Sequence, residues 1–88
     1  MFDVYVSNDS KKFLNKIDRK SGENLTSALS FLKTNPVPIK DLDVKKLAGE
    51  LDSYRIRIGK FRILYKVFWN EKKIRIAKIE RRSDSTYN

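Results

Sequence analysis

Residues 54 to 65 read Tyr54-Arg-Ile-Arg-Ile-Gly-Lys-Phe-Arg-Ile-Leu-Tyr65, and this stretch decides the fold. Apolar and polar side chains alternate on both sides of Gly59-Lys60. Alternation with period two marks a strand with one buried face, and a short Gly-containing break between two such runs is a tight hairpin turn. With Gly59 and Lys60 as the loop, Ile58 stands opposite Phe61, Ile56 opposite Ile63 and Tyr54 opposite Tyr65, all on one face. Arg57 stands opposite Arg62 on the other face, with Arg55 two residues along. Like charges directly opposite each other destabilise a sheet. A surface that bears this cost is suited to an anionic partner.

Outward from the hairpin, the remaining elements follow from periodicity and punctuation. Phe2-Asp-Val-Tyr-Val-Ser7 alternates as a short first strand, and Ser7-Asn-Asp-Ser10 is rich in helix-capping residues. Phe13, Leu14 and Ile17 share one helical face while Lys11, Lys12, Lys16 and Arg19 point away, which predicts a first helix of about three turns. Ser21-Gly22 is read as its end. Leu25, Ala28, Leu29 and Leu32 follow the i, i+3, i+4, i+7 pattern of a second helix, which stops near Asn35 because Pro36 disfavours helical geometry in the residue before it. Residues 36 to 49 read as an irregular connection held down by Ile39, Leu42, Val44 and Leu47. After the hairpin, the third strand runs from Phe61 towards Trp69, Asn70-Glu-Lys-Lys73 turns, and a fourth strand runs from Ile74 to about Arg81. A loop at Glu71-Lys72 would pair Trp69 with Ile74, Val67 with Ile76, Leu64 with Ile79 and Arg62 with Arg81. Arg81 would then join Arg55, Arg57 and Arg62, whereas a slip of one residue would send it to the core side. The expected fold is α+β, in the order β-α-α-β-β-β. It is a single domain over residues 1–88, a mainly antiparallel four-stranded sheet with two helices on one face and a basic face opposite. Leu64, Phe68 and Ile79 are expected outside the core.

The charge distribution supports that basic face. The chain of 88 residues carries a net charge of +9. From Arg55 to Arg82 there are six Arg, five Lys and two Glu, so the whole excess lies on the last three strands. A localised basic surface points to nucleic acid first, and to an acidic protein or membrane surface next; solubility alone is the plain alternative. The chain has no cysteine and no histidine, which removes disulfides, thiolate chemistry, Cys-ligated zinc and His-based relays. Asp41 and Asp43 read as a solvated loop rather than a cation site, and three scattered glycines make no phosphate-cradling loop. No cofactor and no metal site are expected. No apolar run approaches a membrane span, and the start lacks the basic and apolar regions of a signal peptide. A cytoplasmic protein with no membrane partner is expected.

What remains is a guanidinium cluster with a tyrosine at Tyr87. Arginine grips phosphate in a planar fork, so such a cluster can bind RNA or stabilise the added charge of a pentavalent phosphate. RNA supplies its own nucleophile, the 2′-hydroxyl, and a phenol among cations can take part in proton transfer. Tyr87 can equally be an anchor for the tail.

Lys46-Leu-Ala-Gly49, the Tyr54 to Tyr65 block and Arg81-Arg82-Ser-Asp-Ser-Thr-Tyr87 resemble the archaeal RelE-type toxins of the RelE/ParE superfamily. The resemblance spans the chain in length and element order. It implies a toxin of a type II toxin–antitoxin pair: a metal-independent endoribonuclease that cuts mRNA in the ribosomal A site, against 16S-type rRNA, through the RNA 2′-hydroxyl. It also implies a cognate antitoxin as partner. By position it makes Arg62, Arg81 and Tyr87 catalytic, with Arg82 as the alternative to Arg81, and Arg55, Arg57, Lys60 and Arg82 RNA-binding. Ala48 stands where some relatives carry a basic residue, and the histidine that several related nucleases use in the tail is absent. Two other readings fit the same surface: a ParE-like toxin acting on DNA gyrase, since this superfamily shares a fold without sharing a target, and a non-catalytic RNA- or ribosome-binding module.

Overall fold

The computed structural model describes residues 1–82. Along the chain it runs β1 (Asp3–Val6), α1 (Asn8–Lys16), α2 (Arg19–Leu32), β2 (Asp43–Lys46), β3 (Ser53–Ile58), β4 (Phe61–Phe68) and β5 (Lys73–Arg81). The strands form one five-stranded sheet in the order β1-β5-β4-β3-β2. Among these strands β1 and β5 run parallel, and the other neighbouring pairs are antiparallel. Tyr87 lies outside the described residues.

The hairpin has the expected register, with Ile58 opposite Phe61, Ile56 opposite Ile63, Arg57 opposite Arg62 and Tyr54 opposite Tyr65. Gly59 takes a φ of 56°, and Lys60 is not among the residues at positive φ. That is the turn pattern with Gly at the first loop position, whose twist matches the strands it joins. Ile56, Ile63, Tyr65, Val67, Ile74, Ile76 and Ile79 bury one face of the sheet with Leu25, Ala28, Leu29 and Leu32 of α2. The Tyr65 hydroxyl donates to the Pro36 carbonyl at 2.8 Å, so the buried phenol is satisfied and also holds down the connection after α2. Burial, with Tyr54 alongside, pushes this phenol's pKa upward.

Four expectations are corrected. The sheet has five strands rather than four, because Asp43–Lys46 pairs along β3 instead of forming irregular chain. The break between the helices falls at Ile17-Asp18, not Ser21-Gly22. Asp18 caps α2 by accepting from the Ser21 N–H at 3.0 Å, and Gly22 lies inside the helix. The connection between β4 and β5 spans residues 69–72, with Lys72 at a φ of 54°. A register shift at Leu64/Tyr65 follows, so that Val67 pairs with Ile74, Tyr65 with Ile76, Ile63 with Ile79 and Phe61 with Arg81. Ile79 therefore enters the core, and Arg81 leaves the face shared by Arg55, Arg57 and Arg62.

Candidate nucleic-acid interface

The side of the sheet away from the helices is read row by row from the pairing. Asp43, Arg57, Arg62 and Glu80 form one row across β2, β3, β4 and β5. The next row is Lys45, Arg55, Leu64 and Lys78. Ser53, Lys66, Arg75 and Tyr5 form the third, and Phe68, Lys73 and Asp3 the fourth. Eight cations share these rows with three carboxylates.

The Arg57–Arg62 opposition is therefore not left bare, which corrects the expectation of uncompensated repulsion. Asp43 accepts from Arg57 Nε at 2.9 Å and lies 3.7 Å from Arg55 Nη2. Glu80 accepts from Arg62 Nε and lies 3.3 Å from Lys78 Nζ. Partial burial raises the Glu80 pKa, but the bonds from Arg62 and Lys78 outweigh it and hold the carboxyl below the usual glutamate range. In both strong pairs the carboxylate takes the Nε–H. A guanidinium has five donors, so the terminal amino groups of Arg57 and Arg62 are left to grip a second acceptor. Opposed arginines with carboxylates outside them thus form an anion clamp that keeps donors available on the open face.

The other expected site residues fall around this clamp. The Arg55 side chain is mostly buried beside Asp43, and Arg57 is exposed. Lys60 sits at the hairpin tip. The Arg81 guanidinium lies over the Phe61 ring, 5.1 Å from its centroid. There it helps line a cavity of about 360 Å³ on the helix side with Asp18, Ser21, Asn24 and Lys60. The Ser21 backbone N–H, with its hydroxyl, lowers the Asp18 pKa, and the charge of Arg81 adds a smaller pull. Arg82 is tied to the tip instead: its N–H donates to the Lys60 carbonyl at 2.8 Å and its Nη1 to the Gly59 carbonyl at 3.1 Å. Arg55, Arg57 and Arg62 share the open face, Arg81 stands on the other side, and Arg82 is fixed against the hairpin tip. Tyr87, the expected proton-transfer residue, falls outside the described residues. Sequence reasoning misses Asp43 and Glu80. Glu80 is within its reach, because a different register of the last strand puts it opposite Arg62; Asp43 is not, because its strand carries no clear pattern. Among the described residues no group of three or more His, Cys, Asp or Glu is placed to hold a metal ion.

Fold and site define a small α+β protein organised around an arginine-rich open sheet face. Over residues 4–86 the chain matches the family described as the ParE toxin of type II toxin–antitoxin systems, and it belongs to that family. It is 37% identical over 87 residues to a Methanocaldococcus jannaschii protein provisionally named toxin RelE1, covering 99% of this chain and 97% of that one. Against the archaeal RelE–RelB complex of Pyrococcus horikoshii OT3 it has a TM-score of 0.86 at 30% identity, covering 94% of this chain and 97% of that chain. Against the intact Escherichia coli RelBE toxin–antitoxin complex the TM-score is 0.77 at 18% identity, covering 94% and 99%, which is a likeness of fold alone. The fold is RelE-like, and no helix among the described residues is long and apolar enough to cross a membrane.

Proposed function

We propose that this toxin is a metal-independent endoribonuclease that cleaves mRNA in the ribosomal A site and is silenced by a cognate antitoxin. The observation that carries this reading is the clamp: Arg57 and Arg62 are cross-strand partners on the open face, each held through Nε by Asp43 or Glu80, which leaves their terminal amino groups free of those carboxylates. A scissile phosphate seated there meets two forked donors. These gain strength as the phosphorane takes on its second negative charge, which lowers the barrier to attack by the adjacent 2′-hydroxyl. The reaction then needs removal of the 2′-hydroxyl proton and protonation of the leaving 5′-oxygen. Tyr87, close in sequence to the end of β5, is assigned to that proton transfer.

The last-strand cation assigned to the site is Arg82 rather than Arg81, since Arg81 is turned to the helix side over Phe61 while Arg82 is braced on the hairpin tip. The antitoxin is inferred from relatives solved as RelE–RelB and RelBE complexes.

The test is chemical. With programmed ribosomes, attack by the 2′-hydroxyl leaves a 2′,3′-cyclic phosphate on the upstream fragment, and mRNA lacking that single hydroxyl in the A-site codon resists cleavage. Cleavage of the deoxy-substituted message would contradict the mechanism. Inhibition of gyrase supercoiling with translation unaffected would favour the ParE-like alternative, and ribosome binding without cleavage the non-catalytic one.

A further inference from the structure

The clamp occupies one end of the open face, and the opposite end has a different chemistry that the clamp does not use. Tyr5, at the edge of the sheet, is 52% exposed. Lys73 Nζ stands 5.8 Å from the centroid of its ring. Arg75 is its direct cross-strand partner, with Lys66 next in the row. Phe68 is half-buried one row further on, with Lys66 Nζ 5.4 Å from its ring centroid. Two aromatic rings are thus interleaved with three cations on an open sheet. That combination suits single-stranded RNA: bases stack on the rings while the cations follow the backbone. A core role does not explain it, because the core lies on the other face. Plain solubility does not call for an exposed tyrosine there.

The position is also useful. Same-face residues along a strand recur about every 6.7 Å, so the Tyr5 row is roughly two such steps from the clamp. The row between them carries Lys45, Arg55, Leu64 and Lys78, so Lys78 on β5 is the cation that links the two ends. An exposed tyrosine among cations also suits a protein surface; the cationic link to the clamp through Lys78 is what favours RNA.

We propose that Tyr5, Lys66, Phe68, Lys73 and Arg75 form a second RNA subsite, in which a base a few nucleotides from the clamped phosphate stacks on Tyr5 and its neighbouring phosphates meet Lys66, Lys73 and Arg75. This rests on the RNA reading above but not on cleavage, so its test uses RNA that cannot react. A short single-stranded 2′-O-methyl RNA carrying 2-aminopurine at successive positions is titrated with the full chain at low salt. Stacking is read as fluorescence quenching, and affinity as anisotropy. One region of the RNA should be quenched by wild type and by Tyr5→Phe but not by Tyr5→Ser, and Tyr5→Ser should bind about tenfold more weakly. Lys73→Gln with Arg75→Gln should flatten the dependence of log K on log salt by about 0.7 for every phosphate no longer neutralised. Binding with no quenched position, or quenching that survives in Tyr5→Ser, would overturn this subsite alone. An unchanged salt slope in the Lys73→Gln, Arg75→Gln protein would do the same. If the wild type fails to bind RNA at all, the RNA reading falls and the subsite with it.

Discussion

Replacing Glu80 by Gln separates the two things this carboxylate does. It keeps a carbonyl oxygen that can accept from Arg62 Nε, but removes the charge that offsets Arg62, Lys78 and, across β4, Arg57. The pair is half-exposed, with 41% of the Arg62 side chain and 22% of the Glu80 side chain accessible. Its charge is therefore screened, and pairs of this kind contribute about 0.2–1 kcal/mol. Loss of the offset also leaves Arg62 without a counter-charge opposite Arg57, which Asp43 still holds, and this adds about a few tenths of a kcal/mol more. Glu80→Gln should then cost about 1 kcal/mol, or about 4–8 °C in Tm for a domain of this size. The Glu80 pKa is lowered in the folded chain, so the stabilisation is complete above the ordinary glutamate pKa and is lost as pH falls through the lower folded value. The melting difference between wild type and Glu80→Gln should be full at neutral pH and close in acid. RNA affinity should move the other way, rising about two- to fivefold at low salt, because a phosphate no longer shares Arg62 with a carboxylate. Equal Tm values at neutral pH would refute the structural half. Weaker RNA binding by the variant would refute the electrostatic half.

Other consequences follow from the same geometry. Gly59→Ala places a Cβ on a residue with a φ of 56° and should cost about 1–2 kcal/mol, read as a lower denaturant midpoint with unchanged slope. Arg82→Ala should reduce activity in a translating extract far more than Arg81→Ala, since Arg81 is turned to the helix side over Phe61; the reverse order would return the role to Arg81. Tyr65→Phe deletes the 2.8 Å bond to the Pro36 carbonyl and leaves that acceptor short of a donor. It should destabilise by about 1–2 kcal/mol, measured by chemical denaturation. Asp43→Ala unpins Arg57 and Arg55 together and should lower cleavage without lowering overall RNA affinity, a split that a purely folding role would not give.

The hairpin is legible in the sequence because its residues, Leu64 on the open face excepted, obey one rule: apolar in, charged out, Gly at the turn. The neighbouring strand is not. Asp43–Lys46 has one apolar residue, Val44, and its extended form depends on pairing with β3, which is a tertiary fact. The last strand is legible as a strand but not in its register. A connection of residues 69–72, with Lys72 at positive φ, and the shift at Leu64/Tyr65 each move the pairing. Because side chains alternate, these shifts are enough to exchange Arg81 for Glu80 opposite Arg62. The helix boundary is misplaced when Gly22 is weighted as a breaker over Asp18 as a cap, and a glycine is tolerated in a first turn when the cap is satisfied. Of the site, the cations are legible from the sequence and the carboxylates that aim them are not, since an ion pair across strands becomes visible only with the register.

The most direct test is primer extension on mRNA from a translating extract, comparing wild type, Arg62→Ala and Tyr87→Phe, with a gyrase supercoiling assay run beside it. Wild type should give strong stops within A-site codons. Arg62→Ala and Tyr87→Phe should lose them while remaining folded and ribosome-bound. Undiminished stops in both variants would contradict the assignment of the clamp, and inhibited supercoiling with no stops in the wild type would contradict the account as a whole.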